Sequence, residues 1–164
     1  MAILHGIEIK NRKENTGHEG EVVYSGDLYL RGEYIGKWQE DLIGGPLTYD
    51  FDITLIKEAL AKYIKKSEKV FFDFSPHRIL ACLISDLNCM INNEKMVRSF
   101  LEEGYKSIIL VTDGYHFIWT GTMEPPEHTI EKNPKAVEAS KKYLSPEIKP
   151  IVQVFSSLED FIIE

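Results

Sequence analysis

The alternation of apolar and polar positions is clearest between Val22 and Trp38. Val22, Tyr24, Leu28 and Leu30 fall on one face of an alternating run, Arg31-Gly32 is a turn signal, and Tyr34, Gly36 and Trp38 continue on a returning strand. This pattern predicts a β-hairpin with one apolar face. Gly26 and Gly36 inside its strands predict a bulge or a close backbone approach. Ile3 to Ile9 reads as an edge strand, the polar stretch Asn11 to Gly20 as a loop, and Leu47 to Phe51 as a short third strand.

Beyond Asp52 the apolar spacing becomes helical. Asp52 is placed to cap a helix with Ile56, Leu60, Tyr63 and Ile64 on one stripe, and Lys62, Lys65 and Lys66 complement its carbonyl end. Val70 to Phe74 reads as a buried strand. Ser75-Pro76 opens a second helix, whose stripe is Ile79, Leu80, Leu83, Ile84, Leu87 and Ile91. Asn92-Asn93 is expected to interrupt it, with Met96, Val97, Phe100 and Leu101 on a further helix that stops at Gly104. Ile108 to Thr112 and Tyr115 to Thr120 flank Asp113-Gly114, a hairpin signal, and the first of these strands is apolar on both faces and belongs inside its sheet. Asn133-Pro134 begins a helix through Val137, Tyr143 and Leu144; Ile151 to Phe155 is a strand; Ser157 caps a short closing helix. The expected class is α+β: an N-terminal antiparallel hairpin or meander, then a helical core with a second β-hairpin.

The length of 164 residues, 43% of them hydrophobic, fits one domain over residues 1–164. Composition changes near residue 52, dividing an acidic β element, 1–52, from an α+β core, 53–164. From Glu14 to Asp52 nine acidic side chains face two basic ones, Arg31 and Lys37, so this segment alone carries the formal net charge of −7. A pI near 5.3 argues against direct nucleic-acid binding, which needs clustered Lys and Arg, and permits a basic protein partner. No positive lead with an apolar run opens the chain and no later run has the length of a membrane span, so a cytoplasmic location without membrane partners is expected. Cys82 and Cys89 lie about 10 Å apart along a helix, too far for a disulfide within it, and read as two buried reduced thiols.

Four groups of residues bear on chemistry. His18-Glu19 between Gly17 and Gly20 places an imidazole and a carboxylate on a loop, where metal binding would recruit further ligands from Asp41, Asp50, Asp52, His116 or His128. The competing reading is a structural loop in which Glu19 accepts backbone N–H bonds. Asp50 and Asp52 alternate about Phe51 and would share one face of a strand, as two-metal sites require, whereas helix capping accounts for both more simply. Asp41 to Pro46 holds Gly44-Gly45 but lacks the Gly-Lys-Ser/Thr of a P-loop, so a tight turn with uncovered backbone beside Trp38 is the better reading. Asp113 belongs to its turn, and His116, near Trp119, reads as half-buried and hydrogen-bonded. No Gly-x-Ser-x-Gly elbow or paired-Cys zinc spacing is present.

Gly17-His18-Glu19-Gly20-Glu21, the run Leu28 to Gly36, Asp41 and Gly44-Gly45-Pro46 together resemble small uncharacterised proteins carried by phages and mobile elements of Gram-positive bacteria. The resemblance covers the first third of the chain. It implies an accessory role and no particular activity.

The leading expectation is a non-enzymatic binding protein, without cofactor, that inhibits a host defence or nucleic-acid-binding target. Its acidic surface would engage a protein partner with a basic surface. The carboxylates expected to do so are Asp27, Glu33, Glu40 and Asp41, with Tyr34 and Trp38 as aromatic anchors beside Gly44 and Gly45. One alternative is a metal-dependent hydrolase acting on a phosphoester or nucleotide, with His18, Glu19, Asp50 and Asp52 as ligands; another is a small-ligand binding protein. The apolar face formed by Tyr24, Leu28, Leu30, Tyr34 and Trp38 is covered either by the helix that begins near Ile53, in a monomer, or by a second copy, in a homodimer.

Overall fold

The computed structural model describes residues 1–42, 45–66, 75–112, 116–144 and 150–164. The fold is α+β. The chain divides into two compact units, residues 1–91 with 161–164 and residues 92–160, so the composition change near residue 52 falls within the first.

The first unit is built on a six-stranded sheet. Its strands are β1 (Ile3–Leu4), β2 (Ile7–Thr16), β3 (Val22–Leu30), β4 (Glu33–Gln39), β5 (Thr48–Tyr49) and a C-terminal strand, Ile162–Ile163. From one edge to the other the order is β5, β4, β3, β2, β1, then the C-terminal strand, which is parallel to β1 while every other pair is antiparallel. His5-Gly6 and Arg31-Gly32 close the β1–β2 and β3–β4 hairpins, all four with positive φ, and Arg31 donates its backbone N–H to the Gly6 carbonyl at 2.7 Å.

The stretch expected as a loop from Asn11 is the second half of β2. Its side chains are mostly exposed, so burial leaves no apolar signature there. Backbone pairing carries it instead, with Lys13, Glu14, Asn15 and Thr16 opposite Ser25, Tyr24, Val23 and Val22. A bulge lets Asn11 and Arg12 together oppose Gly26, and Asn11 takes the left-handed conformation with φ 50°. A Cβ at Gly26 would lie 3.1 Å from the Lys10 carbonyl, a tight contact that glycine avoids at the bulge. Gly36 sits at a second register shift, with φ 153°, and a Cβ there would lie 2.6 Å from Asp50 Oδ1 and 2.8 Å from Phe51 Cβ.

That second shift removes Tyr34 from the face it was expected to share with Trp38. Leu28 and Trp38 are fully buried, Tyr34 pairs instead with Tyr29, and Tyr34 is 52% exposed. At the start of β3 the sides also exchange, with Val23 buried and Val22 exposed. The buried sheet face is matched by two helical stripes in the same unit. A 3-10 turn, Ile53–Ile56, runs into α1 (Lys57–Lys66) and buries Ile56, Ala59, Leu60 and Tyr63, leaving Ile64 exposed. The long helix α2 (Pro76–Glu102) buries Ile79, Leu80, Leu83, Ile84 and Leu87. Asn92-Asn93 does not interrupt α2. The helical cost of Asn is well under 1 kcal/mol per residue, less than burial of Val97 one turn further on returns. Cys82 is half-buried and Cys89 exposed, because both lie off the apolar stripe, and the expectation of two buried thiols is corrected.

The second unit holds the end of α2 and a three-stranded antiparallel sheet: β6 (Ser107–Thr112) at the centre, β7 (Phe117–Thr122) on one side and β8 (Ile151–Phe155) on the other. Every residue of β6 is buried, as its apolar run predicts. Ile109, Val111 and Leu144 form a core with Ile118, Val137 and Val152. Two short helices connect the sheet's halves, α3 (Thr129–Lys132) and α4 (Pro134–Lys141), and Tyr143, expected on the apolar stripe, is 70% exposed. The last described hairpin pair is Thr112 with Phe117; Asp113 and Gly114, like the expected strand Val70 to Phe74, lie outside the described residues. The closing helix is a 3-10 turn, Leu158–Phe161, with Ser157 Oγ accepting the Glu159 N–H at 3.2 Å. Among the described residues no helix is long and apolar enough to cross a membrane.

Candidate binding groove and acidic surface

The face of the first sheet opposite Leu28 and Trp38 is polar, and strand register aligns its side chains into two rows. Lys13 pairs with Ser25, Ser25 with Gln39 and Gln39 with Thr48, so one row crosses β2, β3, β4 and β5. In the second row Asp27 pairs with Lys37; Asn11 Nδ2 donates to Asp27 Oδ2 at 2.7 Å, and Asp50 Oδ1 accepts the Lys37 backbone N–H at 2.5 Å. Between the rows lies an open groove of about 760 Å³, also lined by Trp38 and Tyr49. Lys13 and Lys37 make no ion pair among the described residues, so both ammonium groups are available at the groove.

Tyr49 pairs with Trp38, so its side chain turns to the other face of the sheet, where it meets α2. Its hydroxyl shares a hydrogen bond with His77 Nδ1, and its ring packs on Phe51 at 4.8 Å and on His77 at 5.6 Å. Loss of water around the phenol raises its pKa above the ordinary value, so it stays protonated and able to donate.

At the other end of the β3–β4 hairpin, Tyr34 meets Tyr29 edge to face at 5.6 Å, and Lys10 lies 4.4 Å above the Tyr29 ring. Glu33 is exposed beside Tyr34. Lys10 also pairs with the buried Glu8 at 3.3 Å, which leaves Glu8 Oε1 without a hydrogen-bond partner among the described residues.

The residues expected to bind a partner therefore fall into several environments. Glu33 and Tyr34 are surface groups. Asp27 is half-buried in the groove. Glu40 is structural: it accepts the Tyr24 N–H at 2.7 Å and approaches Asn88 Nδ2 at 3.5 Å. The Arg12 guanidinium stacks on the Tyr24 ring at 4.5 Å and reaches the Asn88 carbonyl at 3.4 Å, so this network ties β2, β3 and β4 to α2. Trp38 is 1% exposed, and its role as a partner anchor is corrected: it belongs to the core because register places it on the buried face beside Gly26. Asp41 folds its carboxylate against the exposed Gly45, and Gly44 lies outside the described residues.

The residues of the metal alternative do not assemble into a ligand set. Among the described residues no three His, Cys, Asp or Glu side chains are placed to hold a metal ion. His18 donates its backbone N–H to the Leu42 carbonyl at 2.7 Å. Glu21, not Glu19, is the carboxylate of that loop that accepts a backbone bond, from the Glu19 N–H at 2.8 Å. Asp50 caps the exposed edge of β4 at Lys37, and Asp52 caps the 3-10 turn through the Thr54 N–H at 2.9 Å, a bond that holds its carboxyl below the usual carboxylate range.

Compared with protein-family models, curated proteins and solved structures, the chain matches none. Lys13, Ser25, Lys37, Gln39, Thr48 and Tyr49 were missed from the sequence. Ser25 and Gln39 do alternate out of phase with the apolar positions, but only the register shows that they face one another, and Lys13 lay in a stretch read as loop.

Proposed function

We propose that the chain is a non-enzymatic binding protein whose acidic β surface engages a basic face of a protein partner. The observation that carries this reading is the exposed end of the β3–β4 hairpin. There Tyr34, 52% exposed and held against Tyr29, stands beside Glu33 in a segment with nine acidic and two basic side chains. An exposed aromatic group held by a second ring beside a carboxylate is what interfaces select, because it buries much area at little entropy cost. Glu21, Asp27, Glu40, Asp50 and Asp52 each accept a hydrogen bond from within the chain, and their charges add to the field of this segment.

Joined to the resemblance of the first third, this reading makes the protein an accessory factor of a mobile element that occupies a nucleic-acid-binding or defence protein of its host. The test is capture from host lysate by the immobilised chain at low and at 0.5 M salt, with Glu33→Lys and Tyr34→Ala compared at equal loading. A specific partner that is retained at low salt, lost at high salt and lost in both variants supports the reading. Capture that neither salt nor the variants alter sinks it.

A further inference from the structure

We propose that the groove between the two polar rows is a binding site for a neutral, polyhydroxylated ligand, an oligosaccharide by chemical class. This goes beyond the protein-binding reading and uses other residues, since Glu33 and Tyr34 do not line the groove. Its volume of about 760 Å³ lies within the range of clefts that hold small ligands, about 300–1,000 Å³.

The chemistry of the lining selects the class. Lys13 and Lys37 supply two ammonium donors, and Asp27 and Asp50 supply two carboxylate acceptors, so the formal charges along the groove cancel. An anion drawn to the lysines is repelled by the aspartates between and beside them, and a cation meets the converse. A hydroxyl group is both donor and acceptor. It can give its proton to a carboxylate while accepting from an ammonium or amide, and the bonds to the carboxylate and the ammonium are charge-assisted.

The unused valences lie where such a ligand needs them. Asp27 Oδ2 takes the Asn11 amide and Asp50 Oδ1 takes the Lys37 N–H, which orient the two carboxylates and leave Oδ1 of the first and Oδ2 of the second for a ligand. In the other row Ser25 accepts from Asn15 at 3.4 Å and the Thr48 hydroxyl donates to the Gln39 carbonyl at 3.3 Å, so the Gln39 amide between them is the uncommitted group. The site is carried by paired strands rather than by a loop, which holds the rows at fixed spacing.

The experiment is a titration of the isotope-labelled full chain, followed through backbone amide signals. The probes are maltotriose, cellotriose, mannotriose and tri-N-acetylchitotriose, each to 10 mM, with inorganic tripolyphosphate and a deca-arginine peptide as charged comparators. At least one trisaccharide is expected to shift Ser25, Asp27, Lys37 and Gln39 saturably and to bind more tightly than tripolyphosphate. Gln39→Ala and Lys37→Met each weaken it about tenfold or more without lowering the melting temperature, because both side chains are exposed. No saturable shift with any trisaccharide, tighter binding of tripolyphosphate or deca-arginine at the same residues, or undiminished sugar binding in both variants overturns the proposal. Glu33→Lys leaves sugar binding intact and Gln39→Ala leaves protein capture intact, so the two readings fail separately.

Discussion

Replacement of Trp38 discriminates most directly between a core and an interface role. Trp38 is 1% exposed, and its register partners Gly26 and Tyr49 hold it on the same face as Leu28. A buried Trp removes about 200 Å² from water, worth about 5 kcal/mol at ~25 cal/mol per Å², and Trp→Ala substitutions in cores cost about 3–5 kcal/mol. Against a stability of about 5–15 kcal/mol for a typical domain, Trp38→Ala should consume much of what the first unit has, and Trp38→Glu, which adds a buried charge, should unfold it. The indole N–H has no hydrogen-bond partner among the described residues. A buried donor of that kind costs about 1–3 kcal/mol, so Trp38→Phe recovers part of what it loses in packing and should cost only about 1–2 kcal/mol. Urea unfolding measures the series. With a slope of about 2 kcal/mol per M, Trp38→Ala moves the midpoint of the circular-dichroism transition down by about 2 M and Trp38→Phe by less than 1 M. Trp119, on β7 of the second unit, reports that unit's fluorescence independently. A Trp38→Glu protein that keeps the wild-type midpoint while its mass by light scattering falls from dimer to monomer would refute the core assignment and place the residue at an interface.

Gly36→Ala should destabilise by about 2–3 kcal/mol, from an unfavourable φ of 153° and overlap with Asp50 and Phe51, lowering the melting temperature by about 10 °C; a change under about 2 °C would contradict the bulge geometry. His5 is buried, and loss of water, with Lys62 and Lys66 nearby, lowers its pKa below 6.5 against an opposing backbone bond at Glu164. The unfolded chain then binds a proton that the folded chain refuses, so stability falls as pH drops below 6.5 and levels off below the folded pKa; His5→Asn should remove that dependence, and a pH profile identical to wild type would exclude His5 as its source. Cys89 is exposed and Cys82 half-buried, so a thiol reagent should label the native protein in two phases, with Cys89→Ser abolishing the fast one; a single phase for both thiols would contradict their placement.

The sequence by itself determined the elements whose side chains are sorted between water and core. The Val22 to Trp38 hairpin, the stripe from Ile79 to Leu87 and the doubly apolar β6 all carry a period in their hydrophobicity, because burial of one face is what fixes them. Pro76 after Ser75 and Asp52 before Thr54 likewise act through neighbours one turn away, and are readable locally. The second half of β2 carries no such period, since its side chains stay in solvent and its stability comes from a ladder with β3 that only the folded chain supplies. The same holds for the site. Asp27, Lys37 and Asp50 are visible as charges, yet what each one does depends on register: one residue of bulge at Gly36 sends Tyr34 outward and Trp38 inward, and the pairing of Lys13, Ser25, Gln39 and Thr48 across four strands makes a row from residues 35 positions apart. Strand pairing at long range leaves no trace in local periodicity, because the partner's identity is set by the backbone ladder and not by the side chains that the ladder brings together.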